Sequence, residues 1–437
     1  MKSFKKILAA GIAAATMLSM AACGGGSSAG GSEGTADNPV TLEVWGWEPL
    51  LKNVKEAFEK ENPNIKINIT NAGTADDQYT ALNNALSAGK GAPDIAQVEY
   101  YATAQYALGG ALQDLSDFGA KDYEDFYTPG PWSSVNINGG IYGLPMDSGP
   151  MALFYNKAIF DKAGVTEAPK TMEEYYEAAK KIHALGPDVY ITSDAGEPYV
   201  SELLIWAAGG TPFKVDGENL TIDFENDKGT QEFAQYWQKM IDEGLIDTKT
   251  KRWSDEWSKS LDTGKIASLT IGAWMVSMLD DQAPDQAGNW RVANTPTFGS
   301  TKSNGEDGGS TLAIMASSEK QKAAWKFLDF AAHVDGVKIR VDNGQFPADK
   351  ASLADSSFQS KTDPYFGDQK FNEVLSQAAD DVNAKWQFLP YDVHARSIFP
   401  DTAGQAVLGK TSVMDGLKAW QDKLVEYGKD QGYTVNE

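Results

Sequence analysis

The chain has 437 residues, of which 42% are hydrophobic, 23% charged and 11% aromatic. That is a globular composition with room for two domains, and it excludes a mostly disordered chain, a disulfide scaffold and a collagen-like repeat. The net charge is -23 and the only arginines are Arg252, Arg291, Arg340 and Arg396, which argues against nucleic acid or anionic membrane surfaces as partners and weakens the case for anionic ligands.

Lys2, Lys5 and Lys6 precede the small, apolar stretch Ile7 to Ala22, the layout of a secretory leader. At 16 residues the stretch is short for a membrane-spanning helix, which needs about 20. Ala21 and Ala22 lead into Cys23, the single cysteine. This resembles the bacterial lipoprotein signal, in which that cysteine is lipidated, although Met20 stands where leucine is usual. Residues 1–22 are the expected signal and 23–38 a tether, with six glycines among the 15 residues after Cys23. Such a segment behaves as a flexible coil about 20 Å from end to end. It also holds Gly30-Gly31-Ser32-Glu33-Gly34, a formal nucleophile-elbow match without the strand and helix that would give it meaning.

From Val40 the pattern changes. Val40, Leu42 and Val44 alternate with polar residues and predict a strand ending at Trp45-Gly46-Trp47. A helical face (Leu50, Leu51, Val54, Ala57, Phe58) stops at Asn62-Pro63, and Ile65, Ile67 and Ile69 alternate as a second strand. A helix through Tyr79, Leu82 and Leu86 leads to a short strand over Asp94 to Val98. Strand, helix, strand, helix, strand is the order of a parallel sheet covered by helices, with ligands beyond its carboxyl ends. Trp45, Trp47, Glu99 and Tyr100 fall there. Further helices are predicted over 172–185, 229–243, 320–332 and 413–427, and strands over 152–155, 267–271 and 312–315.

Several motifs are better read as structure than as chemistry. Gly404 to Thr411 spells the phosphate-loop pattern, but Phe399-Pro400-Asp401-Thr402 in front of it reads as a turn rather than a buried strand. Thr411 or Ser412 is the expected cap of the last helix. His183, His333 and His394 lack zinc-ligand spacing. Tyr100-Tyr101 and Tyr175-Tyr176 could serve a ferric-ion binder, the second pair lying in a helical pattern. With 61 acids in the chain, no carboxylate pair can be singled out for glycosidase chemistry. The 12 tryptophans are more informative. Trp237, Trp325 and Trp420 lie in helical patterns and are expected in the core, whereas Trp45, Trp47, Trp206 and Trp274 sit at element ends beside small residues. Flat rings there suit the apolar faces of sugars.

The order of segments resembles the extracellular solute-binding proteins of ATP-driven sugar importers, the maltose-binding-protein-like group. The resemblance rests on Leu42-Glu43-Val44-Trp45, Phe58 to Pro63, Ala92-Pro93-Asp94-Ile95, Tyr142-Gly143-Leu144-Pro145, Phe154-Tyr155-Asn156-Lys157, Gly264 to Ala267 running into Gly272-Ala273-Trp274, Gly309 to Ala313, Ala324 to Leu328 and Gly344 to Ala348. It implies an α/β, two-lobe, periplasmic-binding-protein-like type II fold, each lobe a mixed, mostly parallel sheet flanked by helices, with the ligand in the cleft between lobes. Lobe one would comprise 39–147 and 295–345, and lobe two 148–294 and 346–437. The family's ligand contacts carry over to Trp45, Trp47, Glu99, Tyr100, Asp147, Trp274, Gly309 and Gln345, with Trp206, Trp253, Trp257 and Asp307 as looser matches. The expectation is a monomeric, non-enzymatic binder without cofactor or metal, lipid-anchored through Cys23 at the outer face of the bacterial cytoplasmic membrane. It would capture a short oligosaccharide for the membrane subunits of an ATP-binding cassette importer. An exported glycoside hydrolase, or a binder of polyamine, peptide or ferric ion on the same fold, remains the alternative.

Overall fold

Alternation builds the first sheet: Val40, Leu42 and Val44 are buried while Thr41 is exposed. The computed structural model describes residues 32–333 and 335–437, so the leader and Cys23 lie outside the described residues. The strands in chain order are β1 (Val40–Trp45), β2 (Ile65–Thr70), β3 (Ile95–Glu99), β4 (Asn136–Ile137), β5 (Gly140–Ile141), β6 (Leu144–Pro145), β7 (Met151–Asn156), β8 (Phe213–Asp216), β9 (Asn219–Ile222), β10 (Ser268–Gly272), β11 (Trp290–Asn294), β12 (Ser310–Ile314) and β13 (Thr434–Asn436).

The first sheet runs β2-β1-β3-β12-β6. β1 is parallel to β2 and β3, and β12 is antiparallel to both β3 and β6. One face is covered by the helices Leu51–Glu61 and Gln321–Ala332, where Phe58 meets Phe327 and Phe330 edge-on with centroids 5.1 and 5.3 Å apart. The other face carries Tyr79, Leu82, Tyr101 and Tyr106. Each such apolar side chain contributes about 1.5–3 kcal/mol on burial.

The second sheet system differs from the mostly parallel expectation. β10 and β11 both run antiparallel to β7, and β13-β9-β8 forms a separate three-stranded sheet. Period-two patterning identifies strands but carries no direction, and the long helical excursion from β7 to β10 can return the chain at either end. The helices Met172–His183, Lys228–Asp242 and Val413–Asp430 start at Thr171, Asp227 and Ser412, whose side chains each accept an N–H of the first turn. Ser412 is therefore the cap, and the phosphate-loop look-alike follows a turn of 3-10 helix, Phe399–Asp401. Trp237 and Trp420 are buried in this second core, whereas Trp325, expected in a core, is only partly buried and stacks on Tyr123 with centroids 6.1 Å apart.

The chain passes between the two bodies three times: β6 to β7, β11 to β12, and the helix Asp335–Asp342 to the helix Lys350–Ala354. Part of the expected tether is docked. Glu33 pairs with Lys322 at 2.8 Å and its carbonyl accepts from Lys326 Nζ at 2.9 Å. Composition predicts a free coil there; two lysines on a distant helix supply partners it cannot see.

Candidate ligand-binding site

The three crossovers meet at Asp147. Its Oδ1 accepts the backbone N–H of Ser310 at 2.7 Å, its Oδ2 accepts Gln345 Nε2 at 3.2 Å, and its carbonyl accepts Tyr100 OH at 2.6 Å. Burial pushes the Asp147 carboxyl above the usual carboxylate range, opposed by Ser310, Arg340 and Gln345. One residue beyond, Ser148 Oγ and Gly149 N donate to Glu306 Oε1 at 2.6 and 3.1 Å. Glu306 is fully buried and its carboxyl is raised to about 8 by desolvation.

The carboxyl ends of β1 and β3 and the start of antiparallel β12 share one edge, with Ser310 paired opposite Glu99. The turn after β1 is held by buried Gln97, whose Oε1 accepts the N–H groups of Trp47 and Glu48 at 3.0 and 3.1 Å and whose Nε2 donates to Ser310 Oγ at 3.1 Å. Glu48 follows, its carboxyl raised to about 6 by burial against the pull of Arg340. The Tyr100 N–H donates to the Gly309 carbonyl at 3.1 Å. Gly309 has φ +93°, and a Cβ there would collide with the Tyr100 ring, so only glycine fits.

The facing wall is aromatic. Trp274 follows β10, is partly buried, and donates Nε1 to the Asp307 carbonyl at 2.6 Å. Trp253 is 44% exposed with φ +66°, and its ring lies 5.6 Å from Trp274 and 5.1 Å from Trp257. Arg252 lies between the rings and the hinge: its Nη2 pairs with Asp307 Oδ2 at 2.9 Å, and its guanidinium carbon is 5.2 and 5.4 Å from the Trp253 and Trp274 ring centroids. A chamber of about 580 Å³ opens beside Trp274, its lining including Ser277, Lys338, Gln345, Phe358 and Asn372. Its volume is in the range of small-ligand sites.

The expected residues Tyr100, Asp147, Gly309 and Gln345 thus share one linked cluster, with Trp47 and Glu99 at its edge. Trp253, Trp274 and Asp307 form the facing one. Trp45 packs half-buried against the first lobe's core. Trp206 is corrected: it is 2% exposed, donates Nε1 to the Asn383 carbonyl at 2.7 Å and stacks on Trp386, so it packs the core. Trp257 is also corrected, at 1% exposed, and supports Trp253 from beneath. Sequence reasoning missed Gln97, Glu306, Tyr199 and Arg252. The signal for Arg252 is present in the sequence, since a scarce arginine directly precedes Trp253.

A family model for bacterial extracellular solute-binding proteins matches residues 48–338. The chain belongs to the bacterial extracellular solute-binding proteins. Among solved structures, this solute-binding protein is similar to an ABC transporter associated binding protein from B. animalis subsp. lactis Bl-04 in complex with beta-1,6-galactobiose, at 50% identity and a TM-score of 0.81, covering 92% of this chain and 100% of the other. It is also similar to the galacto-N-biose-/lacto-N-biose I-binding protein of the ABC transporter from Bifidobacterium longum in complex with lacto-N-biose, at 28% identity and a TM-score of 0.80, covering 91% and 99%. A galactooligosaccharide-binding protein of Bacillus subtilis is 27% identical over 366 residues, 81% of this chain and 83% of its own. Among the described residues no helix is long and apolar enough to cross a membrane.

Proposed function

We propose that this solute-binding protein captures short β-linked galactosides, of disaccharide size or slightly longer, and passes them to the membrane subunits of an ATP-binding cassette importer. The observation that carries this reading is the 50% identity, across 92% of the chain, to a binding protein in complex with beta-1,6-galactobiose. The cleft chemistry agrees with it. Trp253 and Trp274 offer flat apolar surface for a sugar face, while Glu48, Glu99 and Gln345 are acceptors and donors of the kind that bond hydroxyls. No bond is made or broken: ligand held by one lobe stabilises the arrangement in which both lobes touch it, by its differential affinity for that state. The lobes are 39–147 with 295–345, and 148–294 with 346–437. The chain acts as a monomer, exported by its leader and anchored through lipidated Cys23 at the outer face of the cytoplasmic membrane.

The test is calorimetric titration of the purified protein with beta-1,6-galactobiose, lacto-N-biose, maltose, a polyamine and ferric ion, with reducing ends assayed in the same samples. Tight binding of a galactoside without release of reducing ends is expected. Binding of polyamine or ferric ion alone, or turnover of the sugar, overturns the reading.

A further inference from the structure

Two of the four arginines stand in a line of alternating cations and rings. Tyr101, on the helix Tyr100–Leu108 of the first lobe, has the Arg396 guanidinium carbon 4.0 Å from its ring centroid. Arg396, on the helix Asp392–Ile398, also lies 5.8 Å from the Tyr199 ring. Tyr199 in turn is 5.1 Å from Arg252, and Arg252 is 5.2 and 5.4 Å from Trp253 and Trp274. Each guanidinium is held in place by acid. Arg396 Nη2 is 2.6 Å from Glu202 Oε2 and its Nε is 3.2 Å from Asp392 Oδ2, while Arg252 Nη2 is 2.9 Å from Asp307 Oδ2. Glu202 and Asp392 are buried.

The chemistry suits an aligning function. A guanidinium is planar and delocalised, stacks on aromatic faces, and keeps its orientation when its edge is bound by carboxylates. Burial strengthens its attraction to a ring face. Glu202, Arg396, Tyr199 and Arg252 all belong to elements of the second lobe, whose core includes Leu203, Ala395 and Phe399. Tyr101 belongs to the first, its ring 6.1 Å from that of Tyr79. In this line the contact between Arg396 and Tyr101 is the one that crosses between lobes, and around it the helices Tyr100–Leu108 and Asp392–Ile398 pack together, with Val393 against the first lobe's core. A contact shared by two lobes biases their arrangement by the difference it makes between arrangements.

We propose that Arg396 is a positioning residue for ligand capture: lying on Tyr101, it sets the aromatic wall of Trp253 and Trp274, through Tyr199 and Arg252, against the first lobe without touching ligand itself. The proposal rests on the saccharide reading of the cleft for its affinity readout, but not for its structural one.

Three variants of the full chain test it: Tyr101→Leu removes the ring face, Tyr101→Phe keeps it, and Arg396→Lys keeps the charge without the planar fork. Affinity for beta-1,6-galactobiose is measured by calorimetry, with melting temperature and ligand-free radius of gyration on the same samples. Tyr101→Leu should weaken binding about tenfold, equal to about 1.4 kcal/mol, and increase the ligand-free radius of gyration. Tyr101→Phe should restore both, and Arg396→Lys should fall between them. The double variant of Tyr101→Leu with Arg396→Lys should be no weaker than Tyr101→Leu alone. Wild-type affinity in Tyr101→Leu, whatever its melting temperature, overturns the proposal and leaves the contact as packing. If Tyr101→Leu does not fold, wild-type affinity in Arg396→Lys overturns the proposal in the same way. If the wild type binds no galactoside, the saccharide reading fails, and an unchanged radius of gyration in the variants then overturns the positioning role separately.

Discussion

Trp253 separates recognition from packing. It is 44% exposed and holds φ +66°, a left-handed conformation that costs a non-glycine residue about 1–2 kcal/mol and glycine almost nothing. Trp253→Gly therefore relieves backbone strain. Against that gain stand the larger entropy of an unfolded glycine, roughly 0.5–1 kcal/mol, and the lost contacts with Trp257 and Trp274, whose rings lie 5.1 and 5.6 Å away. These effects nearly cancel, so folding stability should move by less than about 1 kcal/mol, a melting shift of at most about 2–4 °C. Binding has no compensating gain. Truncating an aromatic anchor costs about 2 kcal/mol or more, roughly thirtyfold in affinity. Calorimetric titration with beta-1,6-galactobiose and a ligand-free melting curve measure both quantities. Trp257→Ala, at 1% exposure, should do the reverse, losing about 3–5 kcal/mol of stability. A Trp253→Gly protein that binds as wild type would refute the platform, and a melting drop near 10 °C would refute the compensation by relieved strain.

Trp274→Ala should also weaken galactoside binding about thirtyfold. It should cost about 1–3 kcal/mol of stability, since the Asp307 carbonyl loses the indole donor 2.6 Å away; Trp274→Phe, by contrast, should keep binding within a few-fold in the same titration. Glu306 carries a pH signature. Its carboxyl stands at about 8 when folded against 4.5 as a free side chain, so between these values the folded state holds a proton that the unfolded state has released, and stability falls as pH rises from about 5 to 8. Melting curves of Glu306→Gln should lack that part of the decline, and parallel wild-type and variant slopes would contradict it. Cys23→Ser should move the protein from the membrane fraction to the soluble one with ligand affinity unchanged; persistent membrane association would exclude the lipid anchor.

What the sequence made legible follows from what periodicity measures. Alternation at Val40 to Val44 and Ile65 to Ile69 fixed two buried strand faces, and the spacing of Leu51, Val54 and Phe58 fixed a helix that covers them. None of this encodes strand direction, so the antiparallel β7, β10 and β11 could not be foreseen. Tryptophan at an element end beside small residues is partly buried at Trp274 but core at Trp206, because the deciding neighbour of Trp206, Asn383, is 177 positions away. Tyr199 carries no local pattern at all; its meaning arises only where the fold stacks it beside Arg252.

The arrangement at Asp147 explains why a two-lobe binder needs no long pathway between recognition and closure. One carboxylate accepts from Ser310 after the second crossover and Gln345 in the third, and its own residue lies in the first. Tyr100 is bonded to that same residue's carbonyl. Gln345 also borders the chamber beside Trp274. On the proposed reading, a ligand hydroxyl that draws the Gln345 amide toward itself competes with the hydrogen bond that joins two crossovers. Coupling then requires only a residue whose partners differ between arrangements, which is the physical content of a ligand-shifted equilibrium. Asp307 repeats the logic on the facing wall: its carboxylate fixes Arg252, its carbonyl fixes Trp274, and its N–H donates to the Gly149 carbonyl in the first crossover at 2.8 Å. Trp274 and Arg252, which flanks both rings, are thus tied through one residue to the first crossover.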